Sequence, residues 1–238
     1  MAVFYRGDCL QLLQKQTEKT VDLIYWDPPF GTTAAYWDEK LDWPKLFEQC
    51  FRVLKDTGML VIHCSIPFNY QLIRAAPKPP SYSWYWKKES PTGFLLSSKQ
   101  PMRIVEEVLV WYNKKNTYYR QNIGTEKRTI KYPHQSVYYS KYKNTGTHEV
   151  IGHTRNHFLD MPRRFETKAG NRKRNNKEYV TRSDEMMELF IKHYTKEGDT
   201  VLDPTCYKGA TGVVCKKLNR RWIGFDKYFM PELLMSNR

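Results

Sequence analysis

The stretch with the most chemistry in it is "VDLIYWDPPFG", Val21 to Gly31, in which Asp27, Pro28, Pro29 and Phe30 close a compact apolar run. A carboxylate at Asp27 and the carbonyl of Pro28, whose ring nitrogen offers no competing donor, could accept the protons of an exocyclic amine and aim its lone pair at an electrophile. Phe30 could stack on a base extruded from a duplex, and the two prolines would stiffen the loop that holds these groups. A rigid turn with a buried Phe is the plainer explanation of an isolated Pro-Pro pair. The acid and the aromatic that flank it at a strand end favour the chemical one. Asp8, Asp203 and Asp226 also follow expected strands, so with Asp27 they could meet along the carboxyl edge of a doubly wound sheet, where such folds bind ligands. An acid at Asp226 can accept from ribose hydroxyls. The turn from Asp203 through Gly209 to Gly212 would let backbone approach a ligand at a helix start. Each of these residues alone is more commonly a turn or cap residue.

The elements that must position them follow from pattern. Strands are expected at Val3–Arg6, Val21–Trp26, Met59–Cys64, Tyr82–Trp86, Ile104–Trp111, Thr200–Leu202 and Trp222–Phe225, all apolar, β-branched or aromatic runs. A helix is expected over Leu10–Gln16. A second begins near Pro44 with Asp42 as its cap, carries Leu46, Phe47, Cys50, Phe51 and Leu54 at helical spacing, and ends at Gly58. Ser183 caps a third, with Asp184 and Glu185 in its first turn, and a fourth runs to about Leu218. Alternating strands and helices imply an α/β domain with a mainly parallel sheet.

Composition sets the limits. The 238 residues, 40% hydrophobic and 15% aromatic, can bury a substantial core in one domain with an insertion or a small lobe. The N-terminal "MAVFYRGDCLQLL" does not resemble a signal peptide, and no apolar run approaches bilayer length. Five cysteines (Cys9, Cys50, Cys64, Cys206, Cys215) without a CxxC pair disfavour a zinc site and a disulfide framework. His153 and His157 have helical metal spacing but lack a third ligand, so no metal is expected. The expectation is a soluble, cytoplasmic protein, found wherever its target lies and not secreted. The net charge of +14 suits a nucleic-acid partner, although a solvated basic surface would account for it equally well.

Five blocks follow one another along the chain: "FYRGDCLQLL" with "VDLIYWDPPFG", then "RVLKDTGMLVIHCS", "WYWKKESPTGF", "RIVEEVLVWYNKK" and "KEGDTVLDPTCYKGATGVVCKKLNRRWIGFD". In that order they resemble the S-adenosylmethionine-dependent amino-methyltransferases of DNA, in the permuted (beta) group whose catalytic motif precedes the cofactor motif. The resemblance implies a Rossmann-like methyltransferase fold, circularly permuted, with a twisted, mainly parallel sheet, helices on both faces and an inserted target-recognition region. It implies residues 1–112 as the catalytic half, 113–157 as the insertion and 158–238 as the cofactor-binding half. Asp27, Pro28, Pro29 and Phe30 match its catalytic tetrad, with an acid first as in adenine-N6 enzymes, whereas cytosine-N4 members more often begin with Ser. Asp203, Pro204, Thr205, Gly209 and Thr211 match the loop around the methionine end of the cofactor, Asp226 the ribose acid, and Asp8 with Cys9 the adenine edge. The implied reaction is direct in-line transfer of the sulfonium methyl to N6 of a flipped adenine, so Cys64 and Cys206 need not be nucleophiles.

Two departures stand out. Tyr207 occupies the place where the family's loop usually has its first Gly, which points to a reshaped loop or a weaker hold on the cofactor. The segment "EYVTRSDEMM" lacks the His-Pro-Thr-x-Lys-Pro wording common there. Thr181, Arg182 and Ser183 fill that place approximately, and Ser183 joins the cofactor set on that basis.

Between Tyr112 and about Arg155 apolar periodicity fades, and Tyr118, Tyr119, Arg120, Lys127, Arg128, Lys131, Tyr132, Tyr138, Tyr139, Lys141, Tyr142 and Lys143 interleave aromatic and basic side chains. That mixture suits phosphate contacts with stacking or groove contacts. A second basic run, Arg163, Arg164, Arg172, Lys173 and Arg174, could track a backbone, act as a localisation signal or be a solvated loop. The expected partner is double-stranded DNA, with a homodimer by analogy alone. The rival readings are cytosine-N4 methylation, adenine-N6 methylation of RNA, and a non-catalytic DNA-binding accessory subunit.

Overall fold

Buried residues alternate along the strands and build two cores, one on each face of a sheet. In β2 (Val21–Trp26), Ile24 and Trp26 belong to one cluster and Leu23 and Tyr25 to the other; in β3 (Leu54–Cys64) the split is Leu60 and Ile62 against Met59 and Val61. β5 (Arg103–Tyr112) divides in the same way, Leu109 and Trp111 against Val108 and Val110. Successive side chains point to opposite faces, so a strand covered on both sides reads as a continuous apolar run. The first core is closed by α1 (Cys9–Lys15), α2 (Trp43–Val53) and α3 (Phe68–Ala75), the second by α4 (Asp184–Tyr194) and α5 (Ala210–Lys217).

The structure is a computed structural model describing residues 1–132, 146–153, 159–160, 163–167 and 177–229. Among these, eight strands form one sheet in the order β1 (Ala2–Arg6), β12 (Arg221–Asp226), β11 (Thr200–Asp203), β2, β3, β5, β4 (Tyr82–Thr92) and β8 (Leu159–Asp160). Pairings are parallel from β1 through β3 and between β4 and β8; β5 pairs antiparallel with both neighbours, so within this sheet it alone is reversed. This is the mainly parallel, twisted sheet with helices on both faces that the resemblance implies. β11, late in the chain, lies beside β2, early in it, with Val201 opposite Leu23. That adjacency sets the strand ends bearing Asp203 and Asp27 side by side.

Several local expectations hold for physical reasons. Asp8, Asp42 and Ser183 each accept a backbone N–H in the first turn of α1, α2 and α4, and Pro44 sits inside the start of α2, where its missing donor costs nothing. Gly58 is a correction: α2 stops at Val53, Leu54 is extended, and Gly58 lies within β3. There β3 carries extra residues between the pairs Val21↔Leu54 and Leu23↔Met59, an irregularity that helical spacing could not reveal. α3 was not expected; Pro67 precedes it and no side chain caps it.

Residues 120–155 form a compact unit of their own, narrower than 113–157. It contains β6 (Asn122–Tyr132) paired antiparallel with β7 (Gly146–His153). Asn113 stays with the main unit because its side-chain amide donates to the carbonyls of Phe51, Leu54 and Lys55 at 3.0–3.2 Å. In the main unit β9 (Arg163–Thr167) pairs antiparallel with β10 (Lys177–Arg182), which leads into α4.

Candidate active site

Parallel strands end on one edge, and the acids gather there. Asp27 follows β2, Asp203 and Asp226 are the last residues of β11 and β12, and Asp8 precedes α1. All four line one cavity of about 370 Å³, together with Cys9, Pro28, Pro29, Phe30, Pro204, Thr205 and Thr211. Small-molecule sites span roughly 300–1,000 Å³, so this volume suits an organic ligand. The sequence-predicted set is thus largely assembled in space. Gly209 and Ser183 are not among the lining residues. Gly209 caps α5 with φ of 77°, a left-handed conformation natural to glycine, and Ser183 is buried with its hydroxyl accepting from the Met186 N–H. Gly212 faces Trp222, where a Cβ would meet the indole at 2.8 Å, so its small size serves helix–strand packing.

The wall built on β2 is ionic. Asp27 Oδ1 accepts from Arg182 Nη2 at 2.8 Å, and Arg182 Nη1 donates to Glu106 Oε2 at 2.6 Å. Lys88 Nζ donates to the other Glu106 oxygen at 2.9 Å, and the Arg182 guanidinium lies 4.8 Å from the Trp86 ring centroid. Burial pushes the Asp27 carboxyl up, and the charge and hydrogen bond of Arg182 only partly offset it. Burial also works to raise Glu106, but Arg182 and Lys88 outweigh it and hold that carboxyl at about 2. Arg182 keeps its proton: burial opposes its charge, and Asp27 and Glu106 more than compensate. Behind this row, buried His63 has Nε2 2.8 Å from the Tyr25 hydroxyl, and burial drives the imidazole toward its neutral form.

Phe30 stacks on Phe68 with ring centroids 4.7 Å apart, so one of its faces is already used. The loop that follows is gathered on Asp38, whose carboxylate accepts the N–H groups of Gly31, Thr32 and Thr33 at 2.6–2.9 Å and the Thr33 hydroxyl at 2.7 Å. Burial alone would raise this carboxyl, but the donors prevail and hold it below its ordinary value.

The wall built on β11 and β12 uses neutral donors. Asp203 accepts from the Thr211 hydroxyl at 2.7 Å and the Thr205 N–H at 3.3 Å; burial dominates and pushes it up to about 7. Asp226 accepts three backbone N–H bonds at 2.8 Å, from Tyr207, Tyr228 and Phe229, yet burial still leaves it raised. Thr205 ties the two walls, since its hydroxyl accepts from Trp26 Nε1 at 3.0 Å and donates to the Asp27 carbonyl at 3.3 Å. Tyr207 lines the cavity with a left-handed backbone, φ 50°, and packs edge-on against Phe229 with centroids 4.4 Å apart. All five cysteines are buried, and burial pushes the Cys9 thiol up to about 12 and those of Cys64 and Cys206 higher, which disfavours thiolate nucleophiles.

Sequence reasoning missed Arg182, Glu106, Lys88 and Asp38 as parts of the site. The available signal for Arg182 was its place in the altered "EYVTRSDEMM" segment. Of the expected nucleic-acid residues, Tyr119 and Arg120 are exposed, Lys127, Arg128 and Lys131 lie on β6, and Arg164 lies on β9. Arg172, Arg174 and His157 lie outside the described residues. Among the described residues no group of acids, histidines and cysteines could hold a metal ion, and no helix is long and apolar enough to cross a membrane.

Chemically, a pocket carrying several carboxylates, aromatic walls and backbone donors suits a cationic, hydroxyl-bearing ligand beside a flat polar one. The sequence profile of the family described as DNA methylase (N6_N4_Mtase) matches residues 21–229. The type II methyltransferase M.BamHI of Bacillus amyloliquefaciens is 27% identical over 93% of the chain, which spans 53% of that protein's length. M2.DpnII of Streptococcus pneumoniae is 25% identical over 94% of the chain and 84% of its own. Among solved structures, the M1.HpyAVI–SAM complex (TM-score 0.59, 21% identity, 95% of this chain and 94% of that) has the same fold. So does the PvuII DNA methyltransferase, cytosine-N4-specific (TM-score 0.61, 16% identity, 95% and 82%).

Proposed function

Since the chain belongs to the DNA methylase family, we propose that it transfers a methyl group from S-adenosylmethionine to N6 of an adenine flipped out of double-stranded DNA. The observation that carries this reading is the convergence of Asp27-Pro28-Pro29-Phe30 with Asp203 and Asp226 on one cavity. The cavity fits the cofactor's chemistry: its carboxylates complement a sulfonium and an ammonium, and Asp226, with Asp8 and Cys9 nearby, offers acceptors for a nucleoside. When bound, S-adenosylmethionine supplies an activated methyl, so that an N–C bond forms as S–C breaks, the electron pair stays on sulfur, and one amine proton is left to be released.

The chain's own residues then have distinct roles. Asp27 and the Pro28 carbonyl accept the amine's protons and so direct its lone pair; Phe30 offers the face not covered by Phe68 to the base. Thr205 links the Asp27 backbone to the cofactor wall, fixing the distance between donor and acceptor sites. Tyr119, Arg120, Lys127, Arg128, Lys131, Arg164, Arg172 and Arg174 are the proposed contacts to the DNA backbone. The acid that opens the tetrad favours adenine over cytosine.

The test is incubation with S-adenosylmethionine and mixed-sequence duplex DNA, followed by nucleoside mass spectrometry. N6-methyldeoxyadenosine is the expected product. N4-methyldeoxycytidine would move the same machinery to the other base, and no methylated product from DNA or an RNA control would favour the accessory role.

A further inference from the structure

We infer that Arg182 is a positioning residue that fixes the Asp27 carboxylate in one rotation and presents its Oδ2 to the reacting amine. The inference rests on the methyl-transfer reading above. Arg182 holds Oδ1 at 2.8 Å, while Oδ2 has no protein partner among the described residues. A carboxylate has two equivalent oxygens and a soft terminal torsion, so pinning one of them selects the other as acceptor.

The guanidinium is itself held on three sides, by Asp27, by Glu106 at 2.6 Å and by the Trp86 ring, and Glu106 is held in turn by Lys88. Side-chain exposure falls from 36% at Asp27 to 12% at Arg182, 13% at Glu106 and 1% at Lys88; Asp27 and Arg182 line the cavity, while Glu106 and Lys88 continue the alternating row of charges behind its wall. Such a row is a poor way to fill a core. Buried ion pairs roughly break even or lose against apolar side chains of similar volume. Arg182 Nε is also buried with no partner among the described residues, a further cost that packing does not explain. The row makes sense as a rigid mount for the cavity-facing carboxylate.

A mount and a filler behave differently when removed. The charged or titratable groups around Asp27 are Arg182 on β10, Glu106 on β5, Asp203 on β11 and Tyr25 on β2, with His63 on β3 beside Arg182, Glu106 and Tyr25, and of these Arg182 supplies the positive charge in contact with it. Without it the carboxylate would rotate freely and hold its proton to higher pH.

The experiment compares wild-type protein with R182Q, R182K and the charge-balanced double variant R182M/E106Q. Readouts are single-turnover methyl transfer against pH, cofactor affinity by calorimetry, and ¹³C titration of the Asp27 carboxyl in cofactor-free protein, assigned against D27N. The expected result for R182Q is a rate lower by about 100-fold with affinity within about threefold. Its acidic limb and carboxyl titration should both move up by about one pH unit or more. R182K should restore the limb but not the full rate, because an ammonium supplies the charge without the planar fork. If R182Q does not fold, R182M/E106Q must show a lowered rate and a limb raised by a smaller amount, because losing the Glu106 charge offsets part of the shift. Wild-type rate and limb in either variant would overturn the role of Arg182. Absence of any methylated nucleoside from the wild type would instead overturn the methyl-transfer reading and this inference with it.

Discussion

The two walls of the cavity place carboxylates at equivalent strand ends and treat them in opposite ways. On the β2 wall Asp27 faces a buried cation, with Glu106 and Lys88 continuing an alternating row behind it. On the β11–β12 wall Asp203 and Asp226 face hydroxyl and backbone donors, with no ion pair among the described residues. An ion pair orients a group and offsets part of what burial costs its charge. Neutral donors orient a group but leave its charge for a ligand to balance. In the proposed reaction the chemical step falls to the first wall and the binding of a cationic cofactor to the second, and the difference supports that division.

The largest test of that division is D27A. Its rate of transfer should fall by about 1,000-fold in single-turnover assays while calorimetric cofactor affinity stays within about threefold. A variant that loses both together would show that the walls are not separate. D226N should do the reverse, weakening cofactor affinity by about tenfold with the rate at saturation changed less than about threefold. Asparagine keeps one acceptor oxygen, enough for the Tyr228 and Phe229 N–H groups that share Oδ1, and gives up only the bond from the Tyr207 N–H to Oδ2, so the fold should survive.

Asp203 sharpens the comparison through pH. Its carboxyl is raised to about 7 in the folded protein, chiefly by burial, from an ordinary value of 3.8. The folded state therefore binds a proton that the unfolded chain has lost. The stability this adds is fully present below the unfolded value and is lost as pH rises from about 4 through about 7. Melting curves of the cofactor-free protein should fall across that window, and D203N should flatten this part of the fall. Cofactor binding runs the other way, since a cationic ligand favours the ionised carboxylate. Affinity should rise with pH up to about 7, by at most tenfold per unit, and D203N should remove that slope. A slope kept in D203N would move the titrating group to Asp226 on the same wall or to Asp27 on the other, whose carboxyls burial also raises.

What could be read from the sequence divides along similar lines. Acids after strands were legible because chain direction in a parallel sheet dictates which edge they share, and the Asp-Pro-Pro-Phe run carries its own geometry. The caps at Asp42 and Ser183 were legible because a cap bonds within its own first turn. Arg182 was not, because its bonds to Asp27 and Glu106 span 155 and 76 positions and depend on how β10 lies against the sheet. Gly58 misled because a glycine after a helical pattern reads as a terminator, whereas here it sits in the irregular start of a strand. Asp38 was passed over because an acid in a polar loop has no periodicity to mark it.

The smallest expected effect falls on Tyr207, the residue that departs from the family's wording. Its φ of 50° costs an L-residue about 1 kcal/mol or somewhat more, which glycine would not pay. Y207G would also lose the edge-on contact with Phe229 and gain chain entropy in the unfolded state, and these offset the relief. Stability should therefore change by less than about 1 kcal/mol, a melting shift within roughly 4 °C for a chain of this size. The bond from the residue 207 N–H to Asp226 does not involve the side chain and should persist, so cofactor affinity should stay within about threefold. A gain of tenfold or more in Y207G would mean that the tyrosine ring, rather than the carboxylates, sets the occupancy of the second wall. A loss of that size would mean that the ring is itself part of the binding surface.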